Sequence, residues 1–271
     1  MGELERKLGR LENIIKGYGS VLVAFSGGVD STLLLKVAQD ILANQVLAVT
    51  AVSAVNPPGE VDEAGKLAEA IGAGHVIINT GDLESMAFKG NPPDRCYICK
   101  KEIYTALLKL AEERGIRQVI DGVNADDGAF HRPGLRAGEE LGVLSPLQEA
   151  GLTKQEIYIL SRRFALPTAH KPASPCLATR FPYGVEITPR GLAMVYQAEE
   201  YLKSLGIDQV RVRHHGDLAR IEISPACFEL LMTGSREVVA RLKEIGYTYT
   251  ALDLQGFRSG SMDEAGGAGS L

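Results

Sequence analysis

The sequence predicts an α/β protein, built on a parallel, doubly wound sheet and followed by a smaller C-terminal α/β domain. Apolar strand patterns alternate with helical patterns of about a dozen residues, which is typical of parallel sheets with right-handed crossovers. The first run, residues 21–25, is apolar throughout, as expected for a strand buried on both faces. The pattern changes beyond residue 184, so we expect two domains and a flexible tail, at 1–184, 185–265 and 266–271.

The spacing of apolar residues places each element in order. Leucines and isoleucines at helical spacing predict an amphipathic N-terminal helix that ends at Gly17. Strands of the larger domain are expected at 21–25, 46–52, 75–79 and 118–120. Helices are expected at 32–43 and 60–71, and residues 107–114 are expected to end a further helix. Thr153 and Glu156 form a capping-box pattern at the start of a later helix. In the smaller domain we expect helices at 189–205 and 236–245 and strands at 210–214, 219–224 and 251–255.

Composition limits the class of protein. Hydrophobic residues make up 45% of the 271 residues and charged residues 23%, which is enough for a large core. The net charge of −5 and the absence of a lysine or arginine run argue against a non-specific nucleic-acid surface. No apolar stretch approaches the roughly 20 residues of a membrane span, and no secretory segment is seen, so we expect a cytoplasmic protein. Four cysteines are too few for a disulfide framework, which favours metal or catalytic chemistry.

A glycine turn between the first strand and the next helix is the clearest functional pattern. Its residues are Ser26, Gly27, Gly28, Val29, Asp30 and Ser31. A strand, a glycine turn and a helix N-terminus aim backbone N–H groups and the positive end of the helix dipole at one point, where a phosphate would bind. The turn has neither the lysine of a P-loop nor the glycine spacing of a Rossmann fingerprint.

This turn resembles the pyrophosphate loop of the ATP pyrophosphatases, whose pattern is S-G-G-x-D-S. The resemblance implies an adenine nucleotide alpha hydrolase-like fold and cleavage of ATP into AMP and pyrophosphate. It also implies that backbone groups near Ser53, at the end of the second strand, hold the adenine. Ligands of doubly wound sheets bind at the carboxyl ends of the strands, which agrees with this placement.

The fourth strand runs into Gly122, Asn124 and Asp126. Carboxylates at such a position suit Mg²⁺, a hard cation that takes oxygen ligands, so Asp30 and Asp126 are candidate ligands of Mg²⁺ bound with ATP. A solvated acidic loop is the alternative. Further on, a loop with Arg132 and Arg136 is expected.

Residues 166–180 form a proline-rich segment without periodicity, in which Lys171, Cys176 and Arg180 are difficult to explain as packing. The pyrophosphate loop, D-G-x-N-x-D-D, R-P-G-x-x-A, K-P-A-S-P-C-L-A-T-R and G-F-R-S-G-S-M-D-E occur in this order. Together they resemble the LarE family of sulfur transferases, which make the nickel-pincer nucleotide cofactor of lactate racemase. The resemblance implies adenylation of the carboxylates of pyridinium-3,5-biscarboxylic acid mononucleotide and their conversion to thiocarboxylates.

Two branches of that family differ in the source of sulfur. In one branch the cysteine that matches Cys176 gives up its own sulfur. In the other, three cysteines hold a [4Fe-4S] cluster that carries an extra sulfide, and Cys96, Cys99 and Cys176 match this second pattern. A Cys-x-x-Cys pair alone could also be a zinc half-site or a redox pair. Cys227 lies in an apolar helical pattern and is expected to pack in the core.

Arg211 and Arg213 alternate along a predicted strand, so their side chains share one face. Two neighbouring guanidinium groups form a candidate pocket for a phosphate or carboxylate of the substrate. Ion pairing with a glutamate is the alternative, and the candidates are Glu199, Glu200 and Glu222.

Two other enzyme functions stay open, and a binding function without catalysis is the weakest alternative. A tRNA thiolase would need a basic surface or an RNA-binding module, and an amide-forming ligase would need an ammonia source. A non-enzymatic nucleotide-binding module would leave the three cysteines unexplained. We therefore expect an enzyme that uses ATP, Mg²⁺ and a [4Fe-4S] cluster, with a small-molecule substrate, a sulfide donor and a homo-oligomeric state, and with no membrane or nucleic-acid partner.

Overall fold

Two units make up the fold, which is described here from a computed structural model covering residues 2–81, 85–127, 133–171, 174–258 and 260–262. The first unit comprises Met1–Ser53, Pro58–Asp82 and Asp94–Ser174. The second unit comprises Ala54–Pro57, Leu83–Pro93 and Pro175–Leu271. The tail expected at 266–271 and Arg132 of the expected arginine loop lie outside the described residues.

A parallel sheet forms the centre of the first unit. Its strands, among the described residues, are β1 (Val21–Ala24), β2 (Val46–Val52), β3 (Gly74–Asn79) and β4 (Gln118–Ile120). They lie in the order β3-β2-β1-β4, with Val21 opposite both Val46 and Gln118. The side chains of β1 alternate between two apolar clusters, so Val21 to Val23 are fully buried. The α/β class and the parallel sheet predicted from the sequence are confirmed.

Helices surround this sheet at positions close to those expected. They are α1 (Glu3–Tyr18), α2 (Val29–Leu42), α3 (Glu60–Ile71), α5 (Arg95–Arg114), α6 (Pro133–Leu141), α7 (Pro146–Glu149) and α8 (Lys154–Arg163), while the short α4 (Met86–Lys89) belongs to the second unit. Leu8, Leu11 and Ile15 form the buried face of α1. The helix continues past Gly17 and ends before Gly19, which has a positive φ of 75°.

The expectation of a loop around Arg136 is wrong, because this residue lies within α6. Pro133 begins the helix, a position that tolerates its missing N–H. Gly134 and Gly138 are one turn apart and point at α5, where an added Cβ would lie 3.3 Å from Lys100 Cδ and 3.4 Å from Tyr104 Cε2, respectively. The two glycines therefore allow close packing of α6 on α5, which the local sequence pattern did not indicate.

The second unit carries a smaller sheet with one apolar and one charged face. Its elements are α9 (Pro189–Ser204), β5 (Val210–His215), β6 (Leu218–Ile223), α10 (Phe228–Thr233), α11 (Ser235–Ile245) and β7 (Tyr249–Leu252). In the described part of the chain the strand order is β5-β6-β7, antiparallel between β5 and β6 and parallel between β6 and β7. Val210, Val212, Ile221, Leu202 and Leu242 belong to one buried cluster. Arginines and a glutamate lie on the opposite face.

Cys227 closes a short 3₁₀ turn, Pro225–Cys227, and packs partly buried against this same cluster. None of the helices described is both long and apolar enough to cross a membrane.

Candidate nucleotide site and cysteine segments

The glycine turn after β1 is held by hydrogen bonds among its own residues. Ser31 Oγ donates to Gly28 O at 3.2 Å and lies 3.1 Å from Ser26 Oγ, which accepts the Gly28 N–H at 3.3 Å. Gly27 has a φ of 67°, and a Cβ there would lie 3.3 Å from Ala64 Cβ. No described side chain caps α2, so the start of this helix stays open to an anion.

Residues predicted at the carboxyl end of β4 meet this turn. Asn124 Nδ2 donates to Asp30 Oδ1 at 3.2 Å, and Asp126 N donates to Asn124 Oδ1 at 3.0 Å. Gly122 allows this approach, since an added Cβ would lie 3.0 Å from Ser31 N. The structure thus brings together Asp30, Gly122, Asn124 and Asp126, which were singled out from separate parts of the sequence.

Lys154 contacts both carboxylates, although no sequence motif singles it out. Its Nζ forms an ion pair with Asp30 Oδ2, and its backbone N donates to Asp126 Oδ2 at 2.8 Å. Lys154 is the first residue of α8, directly after the N-cap Thr153, whose capping box with Glu156 is confirmed. That capping box was the one local signal that could have placed Lys154 at a helix start.

A second lysine contacts the glycine turn itself. Lys171 Nζ donates to Gly27 O at 3.3 Å and pairs with Glu63 Oε2 at 2.9 Å. Two ammonium groups therefore lie at a turn that has no lysine of its own. Cations at such positions can neutralise the charge of bound phosphates.

The carboxylates fit a magnesium ion that arrives with a nucleotide. Among the residues that the structure describes, no group of three or more His, Cys, Asp or Glu side chains could hold a metal ion. Mg²⁺ is commonly held by one or two carboxylates, with substrate phosphates and water as the other ligands. Asp30 and Asp126 are two carboxylates of this kind beside the glycine turn. Ser53, the residue expected near the adenine, directly follows β2 and is buried.

Cys96 and Cys99 lie in the first turns of α5, three residues apart and hence on the same side of the helix. Cys96 is exposed and Cys99 is partly buried. Two thiols at this spacing suit the donor set of a cluster ligated by cysteine.

A buried tyrosine ties α5 to the end of β4. Tyr104 donates its hydroxyl to Asp121 Oδ2 at 2.5 Å and accepts a hydrogen bond from Lys100 Nζ at 2.8 Å. Asp121 also accepts from Ser145 Oγ at 2.7 Å. Burial, followed by the nearby charge of Asp121, raises the pKa of Tyr104 far above its ordinary value.

Cys176 lies in a segment of the second unit that is held by Arg180. The Arg180 Nη1 group donates to Pro175 O at 2.7 Å and to Cys176 O at 3.1 Å. Its Nε and Nη2 groups bind the two carboxylate oxygens of Glu199, each at 2.9 Å. Both side chains are at most 4% exposed. Arg180, expected to bind a cofactor, is here engaged with Glu199 and with the backbone that carries Cys176.

The two arginines of β5 have different surroundings. Arg213 binds Glu222 through Nε at 2.9 Å and Nη2 at 2.6 Å, and it donates to Thr179 O at 3.0 Å. For Arg213 the structure therefore shows the ion pair that was the alternative to ligand binding. Arg211 has no carboxylate of the described residues within ion-pair distance, and its guanidinium lies 5.4 Å from the centroid of the Phe257 ring. Burial, and next the Arg180 guanidinium, lower the pKa of Arg211.

Replacing one member of the Arg180–Glu199 pair should destabilise the protein more than replacing both members together. Arg180→Met or Glu199→Leu leaves a buried charge without its partner, which costs about 3–5 kcal/mol of the free energy of unfolding. The double replacement removes both charges and should restore part of that loss. Urea unfolding of the three variants measures this coupling. Losses that simply add would show that the pair does not stabilise this unit as a pair.

Comparison with known proteins identifies the family. A family model described as NAD synthase matches residues 7–101. The chain is 42% identical to an uncharacterized protein of Synechocystis sp., over 96% of this chain and 98% of that protein. It is 40% identical, over 97% of this chain and 96% of the relative, to the pyridinium-3,5-bisthiocarboxylic acid mononucleotide synthase of Lactiplantibacillus plantarum. An argininosuccinate synthase of Haloarcula marismortui is 31% identical over 52% of this chain and 36% of its own length. The near full-length similarity to the Lactiplantibacillus enzyme, together with the glycine turn and the carboxylates beside it, shows that the chain belongs to the LarE family of enzymes.

Proposed function

We propose that this protein is an ATP-dependent sulfur transferase of nickel-pincer nucleotide cofactor synthesis. Its substrate is pyridinium-3,5-biscarboxylic acid mononucleotide, whose carboxylates it activates with ATP and converts to thiocarboxylates. The observation that carries the proposal is the set formed by Asp30, Asn124 and Asp126 beside the glycine turn. The name of the Lactiplantibacillus relative supports the choice of substrate.

The activation step follows from the chemistry of the nucleotide site. A substrate carboxylate oxygen attacks the α-phosphorus of ATP, the bond from that phosphorus to the bridging oxygen breaks, and pyrophosphate leaves with the bond's electron pair. The backbone N–H groups at the start of α2 would bind the pyrophosphate. Lys154 and Lys171 would offset its charge, and Ser53 would lie near the adenine. Mg²⁺, held by Asp30 and Asp126, would supply further neutralisation of the phosphates.

Sulfur transfer completes the reaction on the acyl adenylate. A sulfur nucleophile attacks the activated carbonyl carbon, AMP leaves, and a thiocarboxylate forms once the bond between sulfur and its carrier breaks. A [4Fe-4S] cluster held by Cys96, Cys99 and Cys176 would leave one iron without a protein ligand, where a hydrosulfide can bind. The alternative is loss of the Cys176 sulfur itself. Arg180, through its bonds to the carbonyls of Pro175 and Cys176, holds the backbone of this cysteine in place.

Arg211 is the arginine that we assign to an acidic group of the pyridinium mononucleotide. Its guanidinium is partly buried and donates to Val210 O at 2.7 Å. Burial and the charges of Arg180 and Arg213 lower its pKa, while those of Glu199 and Glu222 act in the opposite direction. A partly buried cation that has no carboxylate of the described residues within ion-pair distance favours an anionic ligand. We further propose that the enzyme acts in the cytoplasm, as a homo-oligomer that receives sulfide from a donor.

Replacing Asp30 should block cleavage of ATP. Asp30→Ala removes a carboxylate of the nucleotide site, so we expect pyrophosphate release to fall by about 100-fold or more. Asp40→Ala is the matched control, because Asp40 lies at the other end of α2 and pairs with Lys36 on the surface. Pyrophosphate is measured by a coupled assay and folding by circular dichroism. A folded Asp30→Ala protein with the wild-type rate would exclude this carboxylate from the reaction.

Replacing Arg211 should weaken substrate binding selectively. Arg211→Gln loses a charge-assisted hydrogen bond, so we expect about tenfold weaker binding of the pyridinium mononucleotide with little change for ATP. Calorimetric titration with each ligand measures the two affinities. Arg241→Gln serves as the control, since Arg241 is exposed and pairs with Glu244. An equal effect on both ligands, or none, would return Arg211 to a structural role.

Cysteine replacements separate the two sources of sulfur. With a cluster as carrier, Cys96→Ala, Cys99→Ala and Cys176→Ala should each lose the brown chromophore and sulfur transfer after anaerobic reconstitution with iron and sulfide. Cys227→Ala should keep both. With a sacrificial cysteine, residue 176 becomes dehydroalanine, about 34 Da lighter, the mass of H₂S. Mass spectrometry after turnover decides, and dehydroalanine at 176 in a fully active Cys96→Ala protein would rule out the cluster.

A further inference from the structure

Beyond offsetting the charge of the phosphates, Lys154 also contacts the carboxylates of the proposed nucleotide site. Its ammonium group pairs with the carboxylate of Asp30, one of the two proposed Mg²⁺ ligands. Its backbone N–H binds the other, Asp126, at 2.8 Å. The same residue therefore contacts both carboxylates, once through its side chain and once through its main chain.

The backbone of Lys154 is fixed, whereas its charged end is accessible. The capping box of Thr153 and Glu156 holds the start of α8, and Lys7 Nζ pairs with Glu156 at 2.8 Å. The side chains of Lys154 and Asp30 are 33% and 21% exposed, so water and ligands can reach the ion pair. Tyr158, one helical turn further on, places its ring centroid 5.5 Å from Lys154 Nζ. A surface ion pair of this kind contributes little stability and can exchange partners.

We propose that Lys154 is an internal counter-ion of Asp30 that changes partner when the nucleotide binds. Without a nucleotide, its ammonium group neutralises Asp30 and so competes with a divalent cation for that carboxylate. When ATP binds, the phosphates attract the ammonium group and Asp30 becomes free to ligate the metal. This inference rests on the proposed use of ATP, and it adds that the metal binds well only together with the nucleotide.

The charges at the site predict whether replacing Lys154 raises or lowers the affinity for each ligand. Asp30 and Asp126 contribute two negative charges and Lys154 one positive charge, so removal of the lysine makes the site more negative. A divalent cation at such a site would bind more tightly, whereas a nucleotide would bind less tightly. Opposite changes for the two ligands distinguish a counter-ion from a residue that only supports the fold, because a distorted site would lose affinity for both.

Lys171 provides the matched control. It also places an ammonium group at the glycine turn, but it donates to Gly27 O and pairs with Glu63 rather than with Asp30. Lys171→Met therefore removes a positive charge from the same site while leaving the pair between Lys154 and Asp30 in place. We expect it to weaken nucleotide binding but to strengthen metal binding much less than Lys154→Met, because its ammonium group pairs with Glu63 and not with a proposed metal ligand.

The experiment measures Mn²⁺ binding to the full-length protein by electron paramagnetic resonance, first without nucleotide. We expect Lys154→Met to bind Mn²⁺ about tenfold more tightly than the wild type, and Lys154→Arg to match the wild type. A second titration uses an ATP analogue with a methylene group between the α- and β-phosphates. We expect Lys154→Met to bind this analogue about tenfold more weakly.

Two results would overturn the inference: unchanged Mn²⁺ affinity in folded Lys154→Met, or an equal gain in Lys171→Met. A wild-type protein that binds no ATP analogue would instead refute the proposed function. The measurement without nucleotide therefore distinguishes the failure of the counter-ion from the failure of the nucleotide site.

Discussion

The close approach of the end of β4 to the first turn of α2 is the constraint on which the proposed nucleotide site depends. Gly122 makes it possible, because any larger residue would place a Cβ 3.0 Å from Ser31 N. Once the two segments are this close, the residues after Gly122 can reach the glycine turn. Asn124 then bonds Asp30, and Asp126 bonds both Asn124 and the start of α8. One small residue therefore brings three elements of the first unit to a single point.

In the second unit, buried ion pairs hold the segment around Cys176 in place. Arg180 and Arg213 each bind a carboxylate and also a backbone carbonyl within residues 175–180. A buried ion pair stabilises a fold only when its remaining hydrogen-bonding groups are satisfied, and the loop carbonyls meet this need. The segment around Cys176 is thus fixed by arginines that are themselves fixed by glutamates. Arg211, which lacks such a carboxylate among the described residues, is the member of the group that suits a ligand.

Local patterns predicted the elements well where the local sequence decides the structure. Strands 46–52 and 118–120 and the helix at 60–71 occur with the expected bounds, because apolar runs, caps and flanking glycines mark them. The capping box of Thr153 is confirmed for the same reason. The pyrophosphate-loop pattern and the end of the fourth strand also indicated Asp30, Asn124 and Asp126, which the structure joins by hydrogen bonds.

Features that depend on distant partners were not predictable in this way. Lys154 lies 124 residues from Asp30, and no local pattern links the two. The helix at Pro133 was missed because its glycines serve packing on α5 rather than a turn. Likewise, the choice of Glu199 by Arg180 and of Glu222 by Arg213 depends on how strands and helices of the second unit pack. Sequence alone left these pairings open.

The hydrogen bond between Tyr104 and Asp121 has a consequence for the range of conditions in which the site keeps its shape. Burial, followed by the charge of Asp121, raises the pKa of Tyr104 further above its ordinary value, which already exceeds neutrality, so the phenol keeps its proton near neutral pH. Its hydroxyl therefore always has a hydrogen to donate, and α5 stays joined to the end of β4. The helix that carries Cys96 and Cys99 is therefore held by a contact whose phenol donor does not change its protonation state near neutral pH.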